Sequence, residues 1–309
     1  PTGGGKTRIA NNIALKWLKA NPLHEVCWVT HRVLLEDQAE ETFLELMRTE
    51  FETDEWQNIR RRMHFKQVSV VSDEGLPPAS SLFIIDEAHH AAAPSYASFI
   101  ESSNACGLFL TATPNRLDEL PIGIEDIAFE ITYQELIDKR CLVPPVFEEP
   151  YRVNGLSLFN DEETRLEFAN YVLGRKETDL KKILICVTRQ DAAEVLYQTV
   201  IEARANLPEP LIAETDIGFV HADDNSGITN GARSSTSNFL SHFKSKQQGI
   251  LIATAALVGE GFDDPAIDSV FVTYASESIG HLMQVAGRAL RRQEGKSEAK
   301  IIQIQTKHN

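Results

Sequence analysis

Apolar residues along this chain collect in short unbroken runs, and the stretches between them carry apolar positions at helical spacing. In the first half the runs EVCWVT (residues 25–30), KQVSVV (66–71), LFIID (82–86), GLFLTA (107–112) and IAFEI (127–131) predict strands. In the second half KILICVT (182–188), IGFVHA (217–222), GILIAT (249–254), SVFVTYA (269–275) and AKIIQI (299–304) do the same. Amphipathic segments between them, such as Thr7 to Lys19 and Leu34 to Met47, predict helices. Strands alternating with helices over this length are the pattern of parallel sheets with crossover helices. Thr132 and Glu135, in TYQELIDKR, have the Ser/Thr-x-x-Glu spacing of a helix-starting capping box. The stretch CLVPPVFEEP (141–150) follows, and its three prolines break any helix, so it reads as a linker. Five expected strands fall on each side. The expected architecture is α/β, two domains of similar size, 1–145 and 146–309.

Composition narrows the picture without deciding it. At 309 residues and 42% hydrophobic, the chain can bury two ordinary cores. Its net charge is −15, with 13 basic against 22 acidic residues before Pro145 and 17 against 23 after, so both halves are acidic. That argues against a broad basic footprint for nucleic acid, though not against a local basic groove. No apolar run approaches the roughly 20 residues that span a bilayer, and no signal peptide is visible. Cys27, Cys106, Cys141 and Cys186 are far apart and include no CxxC pair, which disfavours a zinc site or disulfide framework. A reduced, cytoplasmic compartment is the expectation. The chain opens on PTGGGKT with neither Met nor a preceding strand, which reads as a fragment lacking its first strand.

Two clusters carry chemistry. GGGKT, Gly3 to Thr7, has the end of the phosphate-loop pattern G-x-x-x-x-G-K-[ST], its first glycine falling one position before Pro1. Gly3, Gly4 and Gly5 let backbone N–H groups turn toward phosphate oxygens, and the following helix adds the positive end of its dipole. Lys6 would reach the β- and γ-phosphates of ATP, and the Thr7 hydroxyl would ligate Mg2+. The second cluster is SLFIIDEAHHAAAP, residues 81–94, where Asp86, Glu87, His89 and His90 crowd the end of an apolar run. A metal centre of the HExxH kind needs histidines at i and i+4, whereas these are adjacent. A phosphate-loop protein instead needs a carboxylate on a neighbouring strand end for Mg2+, and Asp86 supplies it. Glu87 can then orient and deprotonate the attacking water.

DEAH after a strand, downstream of PTGGGKT, resembles the paired nucleotide motifs of superfamily 2 helicases and translocases. Further stretches match that superfamily in its order: VTHRVLLEDQ, TATP (Thr111 to Pro114), ILICVTRQDAAEVL, ILIATAALVGEGFDDP and QVAGRALR (Gln284 to Arg291). DEAHHAAAPSY, LTATPNR and YQELIDKRCLVPP look most like its RadD-like and type III restriction-helicase branch. Each match alone has a bland reading as a turn, a capping group or a solvated helix face. Their conjunction and order carry the resemblance.

The resemblance implies two tandem RecA-like domains with ATP between them. It implies that Arg288 and Arg291 stabilise the transferring phosphoryl group, that Gln284 and His89 sit near the γ-phosphate, and that Gly261 and Asp263, in E-G-x-D, meet the nucleotide. It implies further that His31, Arg32 and Thr254 contact the backbone of a nucleic acid, DNA in preference to RNA. The basic run IRRRMHFK (59–66) is a candidate edge for that strand, although a solvated face suits it better. Two alternatives remain. One is a motor subunit of a restriction or defence complex that translocates without unwinding, serving a partner nuclease or repair protein. The other is a nucleic-acid-binding scaffold without turnover, against which the intact Lys6, Asp86, Glu87, Arg288 and Arg291 speak.

Overall fold

A computed structural model describes Thr2 to Thr306 apart from Arg32, Phe51, Glu52, Ala92, residues 113–125, Leu156, Leu211, residues 222–226, Asn230, Gly231, Glu260, Gly261, Asp263, residues 275–284 and Arg288. The chain divides into two compact units, essentially Gly3–Thr132 and Tyr133–Asn309.

The first unit runs α1 (Lys6–Ala20), β1 (Glu25–Thr30), α2 (Val33–Glu50), α3 (Thr53–Arg62), β2 (Met63–Gln67), α4 (Val68–Glu74), β3 (Ser80–Ile85), a 3-10 turn (Ala88–His90), α5 (Pro94–Ser102) and β4 (Cys106–Phe109). Its strands are all parallel, in the order β2-β1-β3-β4. The two-residue period of a strand sorts its side chains onto opposite faces. Val26 and Trp28 of β1, with Leu82 and Ile84 of β3, pack against Ala14, Leu15 and Leu18 of α1 and Phe43 of α2. The intervening Cys27, Val29, Phe83 and Ile85 pack instead against Val71 of α4 and Tyr96 and Phe99 of α5. A sheet covered on both faces has continuous apolar strands, which is why these runs do not alternate in sequence.

The second unit runs α6 (Tyr133–Asp138), β5 (Pro145–Phe147), β6 (Tyr151–Arg152), α7 (Glu162–Thr178), β7 (Lys182–Val187), α8 (Gln190–Ala205), a 3-10 turn (Glu214–Asp216), β8 (Ile217–Val220), an antiparallel hairpin of β9 (Gly227–Thr229) and β10 (Ala232–Ser234), α9 (Thr236–Ser245), β11 (Gly249–Thr254), α10 (Ala255–Gly259), β12 (Ser269–Val272) and β13 (Ala299–Gln305). Its main sheet is parallel, in the order β5-β13-β12-β7-β11-β8, with β6 also beside β13. Ile183, Ile185 and Val187 of β7 bury one face against Phe168 and Val172 of α7 and Leu196 and Val200 of α8. At the start of β7 the fully buried Lys182 pairs with Asp264 at 2.7 Å.

Three expectations change. KQVSVV is not a strand: β2 ends at Gln67 and α4 begins at Val68. Val68 and Val71 then lie one helical turn apart, and both pack against the α4–α5 face of the sheet. IAFEI forms no strand among the described residues, and Ile127 and Phe129 are largely exposed. CLVPPVFEEP is not a free linker. Leu142 and Val143 are buried, and Pro145–Phe147 is an edge strand paired with Ala299–Ile301. Proline tolerates that place because the first residue of an edge strand need not donate to the ladder. The residues on both sides of the expected division at 145/146 therefore belong to the second unit. No helix among the described residues is long and apolar enough to cross a membrane.

Candidate nucleotide site

The glycine loop leads directly into α1. Gly3 and Gly5 have φ of 78° and 79°, left-handed values that a side chain would strain. Gly5 is the N-cap of α1 and has no side chain with which to cap it, and the first turn holds no acidic residue. The first-turn N–H groups and the positive end of the dipole thus stand at the loop, the arrangement that binds phosphate.

Parallel pairing brings the second cluster to the carboxyl edge of the same sheet, where α/β proteins bind ligands. Val29 is level with Ile85 and Ile85 with Phe109, so Thr30, the last residue of β1, with His31 next after it, stands at the height where Asp86 and Leu110 leave β3 and β4. The backbone there is cross-tied: Asp86 N donates to Val29 O at 3.3 Å, Leu110 N to Ile85 O at 2.9 Å and Ala88 N to Leu110 O at 2.7 Å. Asp86 is buried and accepts from the Thr7 hydroxyl and from Glu87 N, the latter at 2.9 Å. Burial, reinforced by the neighbouring Glu87, pushes the Asp86 carboxyl up to about 6, while Lys6 and these hydrogen bonds pull the other way.

Glu87 has φ 50° and ψ 51°, a left-handed conformation shared among described non-glycine residues only with Arg140. Such a backbone costs of order 1–3 kcal/mol and persists where surrounding contacts impose it. The Glu87 carboxylate is buried, and its Oε2 has no hydrogen-bond partner among the described residues. His89 Nδ1 lies 3.4 Å from that oxygen, within ion-pair range though outside hydrogen-bond geometry. The same nitrogen is 3.5 Å from the Thr111 hydroxyl. His89 thereby links the DEAH stretch to the TATP stretch. Thr111 is a contact that the candidate residues alone did not name; the match of its motif was the available signal.

The donor set suits Mg2+. Among the described residues no group of three or more His, Cys, Asp or Glu side chains could hold a metal. Mg2+ characteristically takes one or two protein oxygens and completes its shell with phosphates and water. The Thr7 hydroxyl and Asp86 carboxylate, already hydrogen-bonded to each other, are two such oxygens.

The remaining expected residues belong to the second unit or lie outside the described residues. Thr254 ends β11 with its Oγ1 buried and without a hydrogen-bond partner among the described residues. Arg291 forms an isolated antiparallel bridge with Leu142. Arg32, Gly261, Asp263, Gln284 and Arg288 lie outside the described residues. Three cations of the basic run have partners within the unit. Arg60 pairs with Glu40, and Lys66 pairs with Glu74 at 3.2 Å. Arg62 Nη1 donates to Leu18 O, Asn21 O and His24 O at 3.0, 3.0 and 3.1 Å, closing the end of α1.

These features define a tandem RecA-like α/β protein whose first unit opens on a glycine loop leading into α1. Residues 1–116 match the family described as Type III restriction enzyme, res subunit. The chain is 24% identical over 346 residues to the candidate ATP-dependent helicase IRC3 of Saccharomyces cerevisiae, covering 97% of this chain and 47% of the relative. The chain thus spans about half the length of that curated relative. Among solved structures it is similar to a fragment of a candidate HsdR subunit of a type I restriction enzyme from Vibrio vulnificus YJ016 (TM-score 0.69, 19% identity, 98% of this chain and 58% of that one). The Mycobacterium smegmatis helicase Lhr bound to single-stranded DNA and AMP-PNP gives a TM-score of 0.64 at 15% identity, over 98% of this chain and 43% of that one. Dbp5 of S. cerevisiae bound to RNA and ADP BeF3 gives 0.64 at 14%, over 99% and 78%.

Proposed function

We propose that this chain is the core of an ATP-dependent nucleic-acid helicase or translocase of the DEAH type, acting on DNA. The observation that carries the reading is the meeting of Lys6, Thr7 and Asp86 at one sheet edge, with Glu87 held in a strained backbone beside them. In this reading the glycine-loop N–H groups and Lys6 hold the nucleotide phosphates. Thr7 and Asp86 hold Mg2+, which when bound neutralises charge on the phosphates. Glu87 orients and deprotonates water, and His89 keeps its carboxylate near the Thr111 end of β4. Arg288 and Arg291 are assigned to charge on the transferring phosphoryl group, Gln284 to the γ-phosphate, and Gly261 and Asp263 to the nucleotide. His31, Arg32 and Thr254 are assigned to the sugar–phosphate backbone, which makes binding nearly independent of sequence.

DNA is preferred on the restriction-enzyme and Lhr resemblances, and the Dbp5 resemblance makes RNA the comparison to run. The match to a restriction-enzyme subunit also favours a second reading, a motor that translocates for a partner nuclease without separating strands. Four free thiols, two of them exposed, support a reducing, cytoplasmic setting.

The test is ATP hydrolysis by the chain, alone and with single-stranded DNA, duplex DNA or RNA, beside Lys6→Ala. Stimulation by DNA that Lys6→Ala abolishes is the expected result. Strand displacement on a tailed duplex then separates helicase from translocase. Absence of nucleotide binding in the unaltered chain would overturn the reading.

A further inference from the structure

Burying a lysine ammonium costs free energy that an apolar side chain of similar length does not lose. Lys296 nevertheless lies half-buried in the second unit, on the connection between QVAGRALR and β13. Gly295 before it has φ 80°, and Lys296 N closes a turn on Gln293 O at 3.1 Å. The side chain reaches the loop that follows EGFD, where Nζ donates to Pro265 O at 2.9 Å and to Ile267 O. The charged groups facing it are Asp268 and Asp264, the latter already paired with Lys182. Burial outweighs them and pushes the amine down to about 8. Methionine would fill the same place without an ammonium, so packing alone does not explain the charge.

The loop that owns the two carbonyls supplies a reason. Phe262 and Asp264 alternate in sequence with Gly261 and Asp263, and both are buried. Phe262 lies against Phe243, ring centroids 6.5 Å apart, and Asp264 is held by Lys182. Those contacts anchor the loop to the body of the unit, whereas Lys296 joins it to a second stretch of the same unit. That stretch ends at Arg291, which bridges to Leu142, and Val143 N donates to Leu290 O at 2.8 Å. Lys296 follows Arg291 by five residues. We propose that Lys296 is a positioning residue for ATP hydrolysis, its ammonium holding the carbonyls of Pro265 and Ile267 and so fixing the EGFD loop against the connection that carries QVAGRALR. The proposal deepens, and rests on, the reading that assigns Gly261, Asp263, Arg288 and Arg291 to the nucleotide.

Lys296→Met keeps the stem and removes the donors. ATP hydrolysis by the full chain is measured from pH 6.5 to 9.5 with the nucleic acid that stimulates the parent, beside binding of a fluorescent ATP analogue and the thermal midpoint. Expected for Lys296→Met is a kcat lowered roughly 10- to 100-fold, the scale of a misplaced reacting group, with analogue affinity and midpoint unchanged. In the parent, kcat falls as pH rises through about 8, where the ammonium loses its proton. Lys296→Arg keeps its charge and donors throughout, so it retains most of the rate and lacks that fall. Lys300→Met, which removes a cation paired with Asp179 at 2.7 Å, is the control and leaves kcat alone. An unchanged kcat in Lys296→Met overturns the proposal, as does a Lys296→Met profile that keeps the fall through pH 8. A lowered midpoint in Lys296→Met overturns it too, since the tie would then be structural. A parent chain that binds and hydrolyses no ATP under any of these conditions overturns the nucleotide reading itself, and the proposal with it.

Discussion

Replacing Asp264 by Ala should weaken the second unit far more than an ordinary carboxylate deletion. The side chains of Lys182 and Asp264 are 0% and 4% exposed, and Nζ lies 2.7 Å from Oδ2. Nζ also donates to Lys246 O at 2.8 Å and sits 4.6 Å from the Phe243 ring centroid. Asp264 Oδ1 accepts from Ala266 N at 3.0 Å, so the carboxylate also shapes the loop that follows the EGFD stretch. Removing Asp264 leaves an ammonium with no countercharge in a dry site, a loss of about 3–5 kcal/mol. Against a typical total of about 5–15 kcal/mol that is a large share. For a unit of this size each kcal/mol moves the melting midpoint by about 2–4 °C, so the midpoint should fall by roughly 6–20 °C.

The probe must report on the right unit. Trp17, Trp28 and Trp56, all the tryptophans of the chain, lie in the first unit, so their emission will not follow this change. Amide exchange at Ile183 to Cys186, the buried centre of β7, will. The double replacement Lys182→Met with Asp264→Leu should recover most of the loss, because two apolar side chains need no pairing. A loss below about 1 kcal/mol for Asp264→Ala would mean that the pair behaves like a solvated surface pair, and the reasoning would fail.

Three other changes test the first unit. Glu87→Gln should keep ATP binding within about twofold while hydrolysis falls by two orders of magnitude or more, roughly the contribution of a positioned base; near-normal turnover would remove the water-activating role. Because Asp86 is raised to about 6, its burial penalty is absent below its ordinary value of 3.8, grows as pH rises from there to about 6 and is constant above. Mg2+ needs the ionised form, so Mg2+-dependent nucleotide affinity should rise with pH up to about 6 and then level off, whereas Asp86→Asn should show no such limb. Arg62→Ala strips three carbonyls at the end of α1 of their donor and should cost about 1–2 kcal/mol, seen as an earlier unfolding transition in tryptophan emission.

What the sequence disclosed was whatever depends on residue type at short range. EVCWVT, LFIID, KILICVT and GILIAT are apolar on both faces, and only a strand covered on both sides or a buried helix suits that; flanking turns and β-branched content pointed to strands. GGGKT was legible because its glycines are needed where φ is positive, and Gly3 and Gly5 are so placed. KQVSVV misled because Val68 and Val71 satisfy a strand run and an i, i+3 helical face equally well. What chose between them was the sheet face waiting for Val71, a tertiary fact. The strand at Pro145–Phe147 was invisible for a similar reason: its partner, Ala299–Ile301, is more than 150 positions away.

The same limit separates what could and could not be read of the site. Lys6, Thr7 and Asp86 were named from motif spacing, and it is parallel pairing of β1 with β3 that carries Asp86 to the edge where α1 begins. The strained backbone of Glu87 could not be read, since glutamate has no preference for that conformation and only the ties around Ala88 and Leu110 impose it. The arginines of IRRRMHFK show the converse. Of three adjacent positive charges that resemble a nucleic-acid edge, Arg60 is found on Glu40 and Arg62 on the end of α1. A charge becomes a binding surface only when the fold leaves it unspent, and a fold spends charge on partners that local sequence does not show.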